Sequence, residues 1–167
     1  MLKKTLFCTL LLGALAPLAA MADKDRKDDS PSLVKFDGGI GSQPLRAGGT
    51  PNLVQGLNPG GAPWIIAKLS ADVKLDGKIS VSGKGLLLGG GNGIGTTGNQ
   101  SVRARLYCGA VLHDSGLVAL DPSGDFKIND VLVPVPVSPC ATPILLILNP
   151  NNSWFAAGIP DLKSDDD

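Results

Sequence analysis

The sequence predicts an all-β protein, and three observations support this fold class. Stretches of alternating apolar and polar residues recur through the C-terminal two-thirds, as in strands with one buried face. Turn-forming residues separate them, since the 167 residues include 22 Gly and 13 Pro. All 15 acidic residues are Asp, and the lack of the helix-former Glu argues against a helical protein. We expect a six- to seven-stranded antiparallel β-sandwich of Ig-like or transthyretin-like general shape over residues 62–160, with a small β-barrel as the alternative.

The first 22 residues are predicted to be a secretory signal peptide. Lys3 and Lys4 precede an apolar stretch that is too short to span a bilayer, and Ala20 and Ala22 suit cleavage before Asp23. No later apolar segment is long enough to cross a membrane. We therefore expect an exported bacterial protein, periplasmic or secreted, without a transmembrane segment after cleavage.

Residues 23–61 are predicted to be an irregular, Gly/Pro-rich N-terminal arm that is largely disordered. The segment opens with a mixed run of charges, and Gly or Pro then interrupts it every few residues. Such a segment buries too little apolar surface to offset the entropy lost on ordering, although short pieces could still dock. At the other end, residues 161–167 are predicted to be an acidic tail.

The domain is expected to begin with a strand, because side chains over residues 65–75 alternate in polarity. A second alternating strand follows a turn at residues 75–77. A two-residue turn would place core residues opposite solvent residues, whereas a three-residue turn keeps one face apolar. The predicted cross-strand pairs are Val73 with Ile79 and Ala71 with Val81.

Later strands follow the same logic. Residues 101–108 alternate again, and residues 116–130 are expected to form a hairpin around the turn 121–125. In that hairpin Val118 and Leu120 would face Ile128 and Phe126. Two prolines make residues 131–137 an edge strand or a connection, because proline cannot donate to a ladder. Residues 141–148 are predicted to form a buried strand, and residues 153–159 the last strand.

Cys108 and Cys140 remain after signal cleavage, since Cys8 lies within the signal peptide. An even pair in an exported protein predicts a disulfide, which would close a loop of 33 residues. The bond would stabilise the fold by about 3.7 kcal/mol on the chain-entropy estimate.

Composition and motifs argue against several functions. Without Lys3 and Lys4 the chain has 13 basic and 15 acidic residues, so no basic face is expected for nucleic acid. The glycines of "GIGTTG", residues 93–98, have the spacing of a dinucleotide loop, but strand-like residues follow where a helix is needed. No cofactor is therefore expected. Oxygen ligands that suit Ca²⁺ cluster without the spacing of a calcium loop, so no metal is expected either: they are Asp121, Asp125, Asn129 and Asp130.

His113 is the only histidine, and it adjoins Asp114 and Ser115, which complete the residue types of a hydrolase triad. Neighbours in sequence cannot readily align as nucleophile, base and orienting group. No catalytic residue is predicted, and His113 is expected in an exposed loop. An extracellular hydrolase that uses His113 stays an alternative.

Aromatic and basic residues suggest possible contacts. Trp64 or Trp154 could stack on a sugar in a carbohydrate-binding module, although such rings more often fill a core. Arg103, Arg105 and Tyr107 lie opposite the core face of their strand. These three residues are candidate contacts for a protein or glycan partner, with a solvated sheet face as the alternative.

The leading functional expectation is an exported, non-catalytic module with a binding, structural or envelope-associated role and an unknown partner. An exposed sheet edge, the glycine-rich loop or the arm could contact that partner, for instance by adding a strand to a neighbour's sheet.

Overall fold

The computed structural model describes residues 30–161, which contain eleven β-strands. They are β1 (Ser32–Gly41), β2 (Trp64–Ile65), β3 (Lys68–Lys74), β4 (Lys78–Lys84), β5 (Leu87–Leu88), β6 (Ser101–Cys108), β7 (Val111–Asp114), β8 (Val118–Ala119), β9 (Phe126–Val131), β10 (Ile144–Leu148) and β11 (Trp154–Pro160). No helix occurs within this range, so the predicted all-β class is confirmed. In residues 30–161, then, no helix is long and apolar enough to span a membrane.

Eight strands form one curled antiparallel sheet, in the order β7-β6-β10-β11-β1-β3-β4-β9. Strand β8 pairs with β6, and β2 and β5 form a separate pair. The segment after β9 reaches back to β7, where Asp114 and Val133 exchange backbone hydrogen bonds of 3.0 and 2.9 Å. The sheet is therefore a half-barrel, a form between the predicted sandwich and the alternative small barrel.

The hairpin of β3 and β4 has the predicted register. Val73 pairs with Ile79 and Ala71 with Val81. Gly77 closes the turn at a φ of 84°, a left-handed conformation that glycine adopts without a steric penalty. The prediction is confirmed because this register turns the apolar side chains of both strands toward the interior.

Strand β1 corrects the prediction of a disordered N-terminal arm. Residues 32–41 lie inside the sheet, paired with β11 on one side and with β3 on the other. Phe36 of this strand is only 2% exposed. The prediction is wrong here because β1 joins two strands that are distant in sequence, and pairing on both sides satisfies its backbone groups. Residues 23–29, the predicted signal peptide and residues 162–167 lie outside the described residues.

The predicted hairpin of residues 116–130 is also wrong. Its turn does form, since the Asp121 N–H donates to the Asp125 carbonyl oxygen at 3.1 Å. The flanking strands separate, however: β8 pairs with β6, whereas β9 forms six cross-strand pairs with β4. The turn thus connects strands near opposite edges of the curled sheet. Strand β9 pairs with β4 rather than with β8 because β4 offers a longer hydrogen-bonded ladder.

The interior of the half-barrel is a continuous apolar core. Strand β10 is buried along residues 145–148, which confirms the predicted buried strand. The predicted disulfide between Cys108, at the end of β6, and Cys140, ahead of β10, is present. The largest fully buried core side chains are Phe36, Leu69, Val73, Ile79, Leu86, Leu106, Ile128, Leu132, Leu145 and Ile147.

A strap, residues 52–59, covers the outer face of β6, β10 and β11. Val54 and Leu57 of the strap pack on a second buried cluster, which includes Tyr107 and Trp154. The Trp154 indole Nε1 donates to the carbonyl oxygen of Asn52 at 3.0 Å. These residues also belong to the predicted arm, so part of the arm docks on the domain. The outer faces of β4 and β9, farther along the sheet, stay exposed.

Candidate ligand-binding groove

Four strands present a polar outer face: β1, β3, β4 and β9. Cross-strand pairing aligns their outward side chains in two rows. The first row consists of Lys35, Asp72, Ser80 and Asn129, and the second of Asp37, Ser70, Ser82 and Lys127. Because paired strands lie about 4.8 Å apart, each row is about 14 Å long.

These rows line a groove of about 520 Å³, which we call the serine groove. The short side chains of Ser70, Ser80 and Ser82 form its floor on β3 and β4, and the longer Lys35 and Lys127 flank it on β1 and β9. Short side chains between long ones make the surface concave. A concave surface of this kind can hold a ligand.

The serine groove continues beyond Lys127. A neighbouring groove of about 490 Å³ shares Ser82 and Lys127 with it and runs toward Ala119 and Asp121. The two grooves therefore meet at Lys127. An elongated ligand can extend from one into the other.

All six lysines of residues 30–161 lie on this face of the sheet or at its margin. Three of them form ion pairs: Lys74 with Asp72 at 2.8 Å, Lys78 with Asp76 at 3.0 Å, and Lys84 with Asp125 at 3.7 Å. Lys35 and Lys127 have no ion pair with any residue that the structure describes. Their ammonium groups are therefore available to a ligand.

The floor of the groove offers both acceptors and donors. The exposed Asp37 carboxylate offers acceptors, whereas Asp72 pairs with Lys74 through Oδ2 and its Oδ1 is buried. Ser80 Oγ donates to Asn129 Oδ1 at 3.0 Å, which leaves the Asn129 amide NH₂ able to donate outward. Mixed donors and acceptors of this kind match a ligand with many hydroxyl groups.

The predicted partner contacts lie elsewhere, on β6. Arg105 is 8% exposed and donates two hydrogen bonds of 2.6 Å to Asp114, which raises the pKa of Arg105 above its usual value. Tyr107 is buried in the cluster beneath the strap, while the half-exposed Arg103 bonds to Asn152. The expected exposure of Arg105 and Tyr107 is wrong, because β7 and the strap supply partners on that face.

His113 lies on β7, not in an exposed loop, and is 3% exposed. Its Nδ1 is 2.7 Å from the carbonyl oxygen of Pro134 and donates to it. Alternation along the strand turns Asp114 to the opposite face. Ser115 Oγ accepts from the Ala104 N–H at 2.9 Å and donates to a neighbouring carbonyl oxygen. These three side chains therefore do not align as a catalytic triad.

Both tryptophans are buried, as the more common core role predicts. Trp64 is 3% exposed and stacks on Phe155 with 3.9 Å between ring centroids. Trp154 is 4% exposed and lies beneath the strap. Neither ring face is open to a sugar.

The glycine-rich loop, residues 93–98, folds back on β5. The Leu88 N–H donates to the Thr96 carbonyl oxygen, and the Gly95 N–H donates to that of Leu88, both at 2.8 Å. The chain then enters β6, which confirms the expected strand. The loop thus has no helix N-terminus behind it to hold a pyrophosphate.

The aspartates considered for calcium bind backbone groups. Asp121 Oδ1 accepts from the N–H groups of Ser123 and Asp125 at 2.8 and 2.9 Å, and bonding at this turn, with the Ser123 hydroxyl contributing most, lowers the pKa of Asp121 below its usual 3.8. Asp130 Oδ2 accepts from the Gly116 N–H at 2.6 Å. In the described part of the chain, no three His, Cys, Asp or Glu side chains are placed to hold a metal ion.

The serine groove is not evident from the sequence, although part of its signal is present there. The predicted register of β3 and β4 already aligns Asp72 with Ser80 and Ser70 with Ser82. The two flanking strands join the groove through long-range pairing, which alternation within one strand does not reveal.

Comparison with known proteins gives no relative: no family model matches the chain, and neither does any curated protein or solved structure.

Proposed function

We propose that this chain is an exported, non-catalytic binding module whose ligand occupies the serine groove. One observation carries the proposal: hydroxyl, amide and carboxylate groups line an open groove whose flanking Lys35 and Lys127 have no ion-pair partner in the described chain. The ligand class that fits is an extended, hydroxyl-rich molecule, because such a ligand can both donate to Asp37 and accept from the hydroxyls of Ser70 and Ser82.

Export is supported by the disulfide. A Cys108–Cys140 bond persists in an oxidising compartment, such as a periplasm or the extracellular space. A binding role at the cell envelope or outside the cell is consistent with a polysaccharide as the ligand.

A non-catalytic role is supported by the position of the histidine, which does not line the groove. General acid–base catalysis at neutral pH most often uses histidine. The only histidine, His113, is buried on β7 and donates to a backbone carbonyl oxygen. The alternatives of a hydrolase using His113 and of sugar stacking on Trp64 or Trp154 both require side chains that are buried here.

A second candidate is contact with a protein partner at the edge of the half-barrel. Val133 and Val137 are 71% and 76% exposed on the proline-containing segment after β9. Exposed apolar side chains in a row are typical of interaction surfaces. Strand addition by the N-terminal arm is less favoured, because β1 already pairs within its own sheet.

Affinity electrophoresis of the full chain through gels containing soluble polysaccharides tests the main proposal. Ser80→Tyr places a large side chain on the groove floor, and Ala110→Tyr, at the exposed β6–β7 turn, is the matched control. We expect at least one polysaccharide to retard the wild type and Ala110→Tyr but not Ser80→Tyr, without release of reducing sugar. Retardation by none, or equal retardation of both variants, would refute binding in the groove. Release of sugar would refute the non-catalytic role.

A further inference from the structure

Building on the proposed function, we infer that the ligand of the serine groove is an acidic polysaccharide whose carboxylate binds at Lys127. Charge is distributed unevenly along the groove. Both carboxylates of the two rows, Asp37 and Asp72, lie on β1 and β3, where Lys35 offsets one of them. The polar side chains of the half on β4 and β9 are those of Ser80, Ser82, Asn129 and Lys127.

The half on β4 and β9 suits an anion. Lys127 is exposed, and it forms no ion pair with a residue of the described range. Ser82 lies directly across from it, and Asn129 is two residues away on the same face. An ammonium, a hydroxyl and an amide NH₂ can all donate to one carboxylate, and bonds between ionised groups are the stronger kind.

The other half suits hydroxyl groups. Asp37 is exposed on β1, about one strand spacing from the floor, so its carboxylate oxygens can accept from ligand hydroxyl groups. Asp72 on β3 adds a second, partly exposed carboxylate, of which Oδ1 is buried. A ligand must therefore bring O–H donors to β1 and β3 and a negative charge to β9, a combination that acidic sugars provide.

Dense polyanions fit this groove poorly. Duplex DNA carries one negative charge per about 1.7 Å of its axis, so its phosphates would lie against Asp37 and Asp72 as well as Lys127. Base stacking needs exposed aromatic rings, but the only aromatic residue along the serine groove, Phe36, is 2% exposed. The groove continues past Lys127 along Asp121 and Asp125, which suits the hydroxyl-bearing sugars of a polymer with widely spaced charges rather than a dense run of charges.

The test compares three probes with the full chain: hyaluronan, which carries a carboxylate on every second sugar, neutral dextran, and duplex DNA. Lys127→Gln removes the proposed anion contact. Lys68→Gln is the matched control, because Lys68 is also an exposed lysine of this face, also has no ion pair with a described residue, and does not line the groove. Dissociation constants come from affinity electrophoresis or interferometry, and circular dichroism verifies that each variant is folded.

We expect hyaluronan to bind more tightly than dextran or DNA. Lys127→Gln should weaken hyaluronan binding by about threefold to tenfold, as for one partly exposed charged contact, and Lys68→Gln by less than twofold. Equal binding of dextran and hyaluronan, tighter binding of DNA, or an unchanged affinity of Lys127→Gln would overturn the acidic ligand. If one of these results were obtained but Ser80→Tyr abolished dextran binding, the proposal that a ligand binds in the serine groove would still hold. Absence of binding to every polysaccharide would overturn both proposals.

Discussion

Replacement of Phe36 by Ala tests whether the N-terminal segment belongs to the fold. Phe36 is the buried anchor of β1, and its ring lies against the neighbouring strand β11: a Cβ added at Gly158 would lie 3.1 Å from Phe36 Cδ1. If residues 23–61 were a disordered arm, the substitution would change stability by less than about 0.5 kcal/mol.

The structure predicts a much larger effect. Burial of an aromatic side chain removes about 150–250 Å² from water, which corresponds to about 4–6 kcal/mol at about 25 cal/mol per Å². The alanine Cβ retains part of that, and buried Phe→Ala changes typically cost about 3–5 kcal/mol. We therefore expect Phe36→Ala to lower the free energy of unfolding by about 3–5 kcal/mol.

Urea denaturation followed by circular dichroism measures this change. Ile40→Ala is the control on the same strand, because Ile40 is 61% exposed and its loss should cost less than about 0.5 kcal/mol. Should Phe36→Ala fail to fold, hydrogen exchange of the wild type gives the answer, since paired β1 amides must be protected. Equal stability of the two variants, or unprotected β1 amides, would refute the placement of β1 inside the sheet.

Three further predictions concern single features of the fold. Reduction of Cys108–Cys140 should lower stability by up to about 3.7 kcal/mol, visible as a lower urea midpoint with reductant; an unchanged midpoint would contradict it. Arg105→Ala should cost about 1–3 kcal/mol in the same assay, because Asp114 loses two charged hydrogen bonds, and a neutral outcome would argue against the pair. The lowered pKa of Asp121 means that its carboxylate stabilises the fold above about pH 4 and loses this effect as pH falls further. The stability difference between wild type and Asp121→Asn should therefore shrink from pH 5 to pH 2, and a constant difference would show that ionisation is not involved.

Local sequence patterns predicted the elements whose structure depends mainly on residues close together in the sequence. The β3–β4 hairpin follows from alternation and a glycine-containing turn, so its register could be derived before any long-range pairing was known. Strand β10 is recognisable from its continuous apolar run. The disulfide could also be predicted, because only two cysteines follow the predicted signal peptide.

Two features could not be predicted from the sequence, because both depend on contacts between distant segments of the chain. Strand β1 contains Gly38, Gly39 and Gly41, so its composition resembles a loop, yet it is held by ladders on both sides. The strap hides Tyr107 although alternation places that side chain on an outer face. Both errors have one cause: the polarity of a strand predicts which face a side chain takes, not whether another segment covers that face.

Several polar residues of the serine groove are not the ones that a sheet face needs merely to be soluble. Asp37, Asp72 and Asn129 occupy positions inside strands, where Asp and Asn are depleted because they fit a pleated sheet poorly. A soluble face could carry Thr at these positions with better strand propensity. Conflicts between local preference and fold are expected at functional sites. Asn129→Thr should therefore leave stability unchanged or raise it, by at most about 1 kcal/mol, while it weakens polysaccharide binding in the groove. A variant that lost stability and kept full binding would mean that Asn129 serves the sheet rather than a ligand.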